Sequence, residues 1–403
     1  MKMTREEVLQ YVQEEDVKFI RLAFCDVYGR QKNVAVMPAE LRRALEDGVV
    51  IDGSAIPGFS DRVHSDLILR PDPTTLTEMP WRPQHGRVVH LFCDVENPDG
   101  TPFPADTRHV LRQAVHAAAE QGIIFDLGSE IEFYLFRLDE DGQPTKIPHD
   151  TAGYMDIAPE DRGENVRREI CLTLERMGIQ PESSHHECGP GQNEIDFRYA
   201  EALAAADNAV LFQAVVKTIA AQNGLWADFS PRPLEEHEGN GMHINLSARS
   251  ADGTDVLPWL IGGILDKVPE MTLFLNPSER SYARLGRDKA AGYAAWGREN
   301  RSQLIRVPAG PAAHRRLELR SPDPQANPYL AFALTIYAGL YGIRARLPLP
   351  EEARFDSFTA PSEQLAPYRR LPATRAEAAR LAGQSEFVRA HLPQALIDAY
   401  CGR

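Results

Sequence analysis

The chain has 403 residues, 43% hydrophobic and 25% charged, with a formal net charge of −14. These are the proportions of an ordinary globular protein long enough for two domains, and they argue against a disordered chain, a repeat array or a nucleic-acid-binding surface. The five cysteines lack CxxC spacing, so neither a zinc ribbon nor a disulfide framework is expected, and reduced thiols in a cytoplasmic protein fit best.

The charged start, Met1-Lys2-Met3-Thr4-Arg5-Glu6-Glu7, lacks the apolar core of a signal peptide. Lys18 to Phe24 and Asn33 to Met37 read as strands around the turn Asp26 to Arg30. Ala39 to Asp47 has helical spacing and stops at Gly48, and Arg87 to Val95 is a further strand. The proline-rich run from Arg70 to Pro83 and the turn Asn97-Pro98-Asp99-Gly100 close this unit. A boundary near residue 105 is therefore expected, with domains over 1–105 and 106–403.

Asp106 is placed to cap a helix that runs to Gln121 and ends at Gly122. Arg162 to Met177 and Tyr199 to Gly224 are long helical patterns. The longest apolar stretch, Tyr329 to Ile343, falls short of the ~20 residues needed to cross a bilayer and reads as a buried helix. Strands and helices interleave without a βαβ rhythm or a GxGxxG turn, which predicts an α+β protein with an antiparallel sheet, not a Rossmann domain.

Four segments place charged or metal-ligating side chains at every second position. They are Glu130-Ile131-Glu132-Phe133, Asn193-Glu194-Ile195-Asp196-Phe197, Met242-His243-Ile244-Asn245-Leu246-Ser247 and Leu317-Glu318-Leu319-Arg320. Strand side chains alternate between faces, so Glu130 shares a face with Glu132, His243 with Asn245 and Ser247, and Glu318 with Arg320. In one sheet these residues would ring a common cavity, where carboxylates repel one another unless protonated or bridged by hard divalent cations.

A Gly/Pro turn between His185-His186-Glu187 and Asn193-Glu194 allows a hairpin with Glu187 and Glu194 at one mouth. Gly239-Asn240-Gly241 leads into His243 and permits close backbone approach to a ligand. Arg298, Arg301, Arg306, Arg315, Arg316 and Arg320 form a basic group suited to phosphate or carboxylate, with no Walker loop to compete. Each feature taken alone has a plainer reading as a solvated rim or a structural histidine.

Taken in order, the motifs resemble the glutamine synthetase family over nearly the whole chain. Those that carry the resemblance are Asp52-Gly53-Ser54-Ala55-Ile56-Pro57-Gly58-Phe59, Glu130-x-Glu132, His186-Glu187 to Glu194 and Gly241-Met242-His243. They continue through Asn276-Pro277-Ser278, Ser281-Tyr282-x-Arg284-Leu285, Asn300-Arg301-Ser302, Ile305-Arg306-Val307-Pro308, Glu318-x-Arg320-x-Pro322-Asp323-Pro324 and Asn327-Pro328-Tyr329.

The resemblance implies a small N-terminal β-grasp domain and a catalytic domain whose curved antiparallel sheet, flanked by helices, forms a metal-lined funnel. It implies one Mg²⁺ or Mn²⁺ held by Glu132, Glu187 and Glu194, and a second by Glu130, His243 and Glu318, with two or three ions per site. The implied reaction is ATP-dependent ligation of glutamate to ammonia through a γ-glutamyl phosphate. Arg301 and Arg320 would attend the transferring phosphoryl group, Arg306, Arg316, Asn245 and Ser247 the nucleotide, and Arg284, Glu132 and Gly239 the glutamate. Asp52 would act in the funnel of a neighbouring subunit, holding the incoming ammonium and helping to deprotonate it, within a ring-shaped homo-oligomer, commonly a dodecamer. Neither nucleic acid nor membrane is an expected partner.

Several residues depart from the family pattern. The flap Leu285-Gly286-Arg287-Asp288-Lys289-Ala290-Ala291 is one residue short, with Lys289 near where ammonia-using members carry a glutamate; Asp288 would substitute if the register shifts. Glu238 stands where an asparagine is usual, Asn245 for a histidine and Ala313 for a lysine. No tyrosine follows Leu347-Pro348-Leu349-Pro350 in the context of adenylylated members, and Thr374 to Leu381 and Phe387 to Tyr400 look like the C-terminal helices. The flap and turn changes keep open a γ-glutamyl ligase for an organic amine or polyamine; two further alternatives are a non-catalytic structural or regulatory protein and an ATP-guanidine phosphotransferase, whose catalytic sheet is similar.

Overall fold

A computed structural model of the chain describes residues 3–59, 61–81, 86–311 and 315–402. The first part comprises α1 (Arg5–Glu14), β1 (Val17–Cys25), β2 (Gln31–Val36), α2 (Leu41–Asp47), β3 (Val49–Asp52), β4 (Asp66–Pro71), β5 (Thr77–Glu78) and β6 (Arg87–Glu96). Thr4 starts α1 with a capping box to Glu7, which satisfies backbone donors that would otherwise lack partners. The strands form a sheet in the order β2-β1-β6-β4-β3, with β5 on β6; β1 and β6 run parallel and the other pairs antiparallel. Its apolar face is covered by Val8, Val12, Leu41 and Leu45 of the two helices. The proline-rich run extends to Pro83, which lies outside the described residues.

The second part opens with α3 (Thr107–Glu120), capped by the Asp106 carboxylate on the Arg108 amide. There follow β7 (Ile123–Leu138), β8 (Pro144–Pro148), α4 (Glu164–Arg176), β9 (Pro181–His186), β10 (Gln192–Phe197), β11 (Ala200–Glu201), α5 (Ala202–Gln222), β12 (Leu225–Asp228) and β13 (Met242–Ser250). The chain continues through α6 (Leu257–Leu275), α7 (Glu279–Arg284), β14 (Trp296–Arg298), β15 (Ile305–Val307), β16 (Leu317–Leu319) and α8 (Pro328–Ala345). It ends with α9 (Ser362–Leu365), α10 (Arg375–Gln384), α11 (Glu386–His391) and α12 (Gln394–Cys401). The expected segment Phe387 to Tyr400 is thus two helices. Pro393, which cannot donate a backbone hydrogen bond, caps the second.

The large sheet runs β14-β15-β16-β13-β7-β10-β9. It is antiparallel except for β14 and β15, an exception that strand periodicity does not reveal. Sixteen-residue β7 is its spine: β13 and then β12 follow one edge, and β11, β10 and β8 follow the other. The partner changes along one long strand curl the sheet. Phe125, Leu127, Ile131 and Phe133 of β7 point into the apolar core with α3, α5, α6 and α8, which turns Glu130 and Glu132 to the opposite face.

Two helices beneath the sheet approach closely where α6 meets α8. A Cβ at Gly263 would stand 2.2 Å from the Ala338 carbonyl oxygen and 2.7 Å from Gly342 Cα. Helix α5 is the one described helix long and apolar enough to cross a membrane, and much of it is buried within the protein. The two parts of the chain are joined by a buried guanidinium. Arg108 on α3 reaches Asp94 at 2.7 Å and both Asp72 and Asp207 at 2.9 Å, and the Tyr329 hydroxyl of α8 donates to Asp207 at 2.7 Å.

Candidate active site

Strand pairing lays the polar face out in three successive rungs. The first holds His185, Glu194 and Glu132, with the Glu132 amide donating to the Gly241 carbonyl at 3.0 Å. Next come Ser183, Asp196, Glu130 and His243, and then Gly128, Asn245, Glu318 and Arg306. Directly opposed strand residues share a face, so residues far apart in sequence meet around a cavity of about 840 Å³. Its lining includes Glu130, Glu132, Glu187, Glu194, His243, Arg301, Arg306, Arg316 and Arg320.

Four overlapping groups bring one ligand atom from each member within 4.8 Å of the others: Glu130, His243 and Glu318; Glu132, Glu194 and His243; His185, Glu187 and Glu194; and Glu130, Glu194 and Asp196. His243 Nδ1 stands 3.4 Å from Glu130 and 3.3 Å from Glu318. The Gly241 amide and the Gln192 side chain donate to the same oxygen of Glu132, at 2.8 and 3.2 Å. These contacts aim the carboxylates before any ion arrives.

The electrostatics fit cations. Burial, and then the charge of Glu132, raise the Glu194 carboxyl well above the usual range. Asp196 is pushed up to about 6, first by burial and then by Glu130. A dense set of oxygen donors that resist ionising together is the environment a hard divalent ion relieves. Glu130 and Glu187 are instead held low, at about 2: burial, the largest single influence, raises each, but it is outweighed by the sum of the contacts, led by His243 and Asn245 on Glu130 and by His185 and Lys289 on Glu187.

Arginines frame the far side. Arg306 donates to Glu318 at 2.6 Å, Arg320 pairs with its other oxygen, and Arg316 donates to Asn245 at 2.8 Å. Asn245 in turn donates to Glu130 at 2.8 Å. Buried Arg284 braces the floor by donating to the carbonyl oxygens of Ser321 (2.8 Å) and Arg320 (3.3 Å). Gly239 sits against it: a Cβ there would meet the Pro231 carbonyl at 2.3 Å and Arg284 Cγ at 3.0 Å.

Other expected residues lie farther out. Arg301 is exposed at the cavity wall, and Ser247 pairs with Asp126 one rung beyond Asn245. Asp52 is exposed at the end of β3 and accepts from the Ser54 amide (2.9 Å) and hydroxyl (2.7 Å); it does not line this cavity. Asp288 turns away to accept from Arg232 at 2.8 Å, while Lys289 reaches Glu187 at 3.0 Å. The Glu238 carbonyl accepts from the Tyr134 hydroxyl at 2.7 Å, and Ala313 lies outside the described residues.

Sequence reasoning did not assign roles to His185 and Asp196, although period-two spacing from Glu187 and Glu194 would have placed both on the polar face. It also missed the brace behind the hairpin. His186 Nδ1 contacts the Glu187 carbonyl oxygen at 2.6 Å and Nε2 contacts Asp150 at 2.8 Å, while Arg167 joins Asp161 (2.5 Å) to Asn193 (2.7 Å).

Two family models cover the chain: glutamine synthetase, beta-grasp domain, over residues 16–98, and glutamine synthetase, catalytic domain, over 104–402. The glutamine synthetase of Clostridium saccharobutylicum is 44% identical over 376 residues, 90% of this chain and 85% of that protein. That of Methanosarcina mazei is 43% identical over 413 residues, 98% of this chain and 92% of its own length. Among solved structures, a GmaS–ADP complex superposes with a TM-score of 0.88 at 28% identity, covering 100% of this chain and 94% of that one. The smaller sheet is thus a β-grasp domain, the curled sheet is the family's catalytic funnel, and the chain belongs to the glutamine synthetase family of ATP-dependent ligases.

Proposed function

We propose that the protein joins the γ-carboxylate of glutamate to ammonia, with ATP as the activating co-substrate. The supporting observation is the convergence of Glu130, Glu132, Glu194, His243 and Glu318 on one sheet face, with Glu187 just past the end of β9, beside Arg306, Arg316 and Arg320. In the first step a γ-carboxylate oxygen attacks the terminal phosphorus of ATP and ADP leaves. In the second the amine nitrogen attacks the acyl carbon, phosphate departs and the nitrogen loses a proton. Phosphorylation replaces oxide, a hopeless leaving group, with phosphate.

Glu132, Glu187 and Glu194 would hold one Mg²⁺ or Mn²⁺, and Glu130, His243 and Glu318 another; such ions, when bound, neutralise phosphate charge. Arg301 and Arg320 attend the phosphoryl group, Arg306 and Arg316 the nucleotide phosphates with Asn245 and Ser247, and Arg284 and Gly239 the glutamate. Asp52 acts in the site of a neighbouring subunit within a ring of identical chains in the cytoplasm. Domains over 1–105 and 106–403 suit this division of labour.

Two observations favour a second reading, an organic amine in place of ammonia: a lysine of the flap, Lys289, sits on Glu187, and the fold superposes on GmaS, gamma-glutamylmethylamide synthetase. Phosphate release measured with glutamate, ATP, Mn²⁺ and either ammonia, methylamine or larger amines tests both. The highest kcat/KM with ammonia supports the first reading, and the highest with an organic amine supports the second. No release with any amine, despite ATP binding, overturns the ligase assignment.

A further inference from the structure

The flap is a small closed turn held at both ends. The Gly286 amide donates to the Ala290 carbonyl at 2.8 Å, and Asp288 lies between them at φ +53°. Arg232 grips Asp288 at 2.8 Å, and Arg320 donates to the Lys289 carbonyl oxygen at 3.3 Å. This positions the Lys289 side chain across the mouth of the cavity. Its Nζ is 3.0 Å from Glu187 Oε2 and 4.9 Å from the centre of the Tyr154 ring.

Glu187 has little capacity left. The Cys188 amide donates to Oε2 at 3.0 Å, and His185 Nε2 is 3.2 Å from Oε1. Lys289 therefore occupies a cationic place on a carboxylate assigned above to a divalent ion. A lysine ammonium and a divalent ion within a few ångströms repel each other, because a partly enclosed cleft screens charge less than water does. The lysine side chain is 43% exposed, and its long stem can withdraw toward solvent beside Tyr154.

We propose that Lys289 is a tethered cation that competes with the divalent ion and with cationic amines for Glu187, so that it sets ion affinity and amine preference together. The inference rests on the metal-binding assignment of the carboxylate cluster. It accounts for a cationic flap in a chain that keeps all six oxygen and imidazole donors.

The test is Mn²⁺ binding by the full-length protein, followed through the electron-spin resonance of free Mn²⁺, for wild type, Lys289→Ala and Lys289→Arg. Removing the charge should tighten one class of Mn²⁺ site by roughly tenfold, as expected for one fewer like charge in a cleft. Lys289→Arg, which keeps the charge, should stay within about twofold of wild type on the same grounds. In steady-state assays Lys289→Ala should lower KM for ammonium and methylammonium more than it changes kcat. Equal or weaker Mn²⁺ binding in Lys289→Ala removes the proposal and leaves the ligase assignment standing. Failure of the wild type to bind Mn²⁺ at all overturns the metal-site reading, and the role of Lys289 falls with it.

Discussion

Glu194 stands directly across from Glu132 in the β10–β7 ladder, and burial together with that neighbour raises its carboxyl well above the usual range. Like charges opposed on a strand pair destabilise the sheet. Replacing Glu194 with Gln should therefore raise the melting temperature of the ion-free protein while abolishing most of the gain that Mn²⁺ confers. For the wild type, saturating Mn²⁺ at about 100 times its Kd should add about 2.7 kcal/mol, and a chelator should remove it. Thermal melts with and without Mn²⁺ check both; a variant that melts lower without ions contradicts the account.

Buried Arg108 donates to Asp72, Asp94 and Asp207, with Arg112 also on Asp94 at 2.7 Å, and it ties the β-grasp sheet to α3, α5 and α8. Breaking a buried charge network by deleting one member costs about 3–5 kcal/mol, since the others are left uncompensated. Arg108→Ala should lose stability of that order in urea denaturation. A loss below about 1 kcal/mol, the scale of an exposed pair, would show that water already compensates these acids.

Asp106 offers a pH test. Burial, followed by the charge of Asp94, raises its carboxyl to about 7, whereas the unfolded value is about 3.9. The folded state thus binds more protons than the unfolded state across that interval, and this residue's contribution to stability falls as pH rises from about 4 to about 7. Asp106→Asn keeps an oxygen acceptor for the Arg108 amide and removes the titration. Denaturation at pH 5 and pH 8 should show a smaller loss for the variant than for wild type; equal losses would sink the assignment.

At the α6–α8 crossing, Gly263→Ala places a methyl 2.2 Å from a backbone oxygen that cannot rotate away. Overpacking a core costs about 1–3 kcal/mol, occasionally more. The variant should melt lower with an unaltered Mn²⁺ affinity per folded molecule, which separates packing from site chemistry. An unchanged melting temperature would mean that the helices slide apart freely.

The parts of this molecule legible in its sequence are those that depend on short-range rules. Alternation around Ile131 and Ile195 marks strand faces, Asp106 and Gly122 mark the ends of a helix, and Gly48 at φ +82° closes another. What alternation cannot supply is the neighbour of each strand. That Glu130 would face His243 on one side and Asp196 on the other follows from long-range pairing, as does the parallel contact of β14 with β15. The Lys289 contact was hidden for a different reason: a flap one residue short changes which side chain points inward, and only the Gly286–Ala290 turn decides it.

The spine strand also acts as a ruler. Glu130 and Glu132 belong to different ligand groups yet sit two residues apart on β7, so their Cα atoms are separated by about 6.8 Å, twice the rise of an extended residue. That separation is a property of the backbone. Side-chain substitutions can retune either half of the funnel, but the distance a phosphorylated substrate must bridge between the halves stays constant unless β7 itself bends.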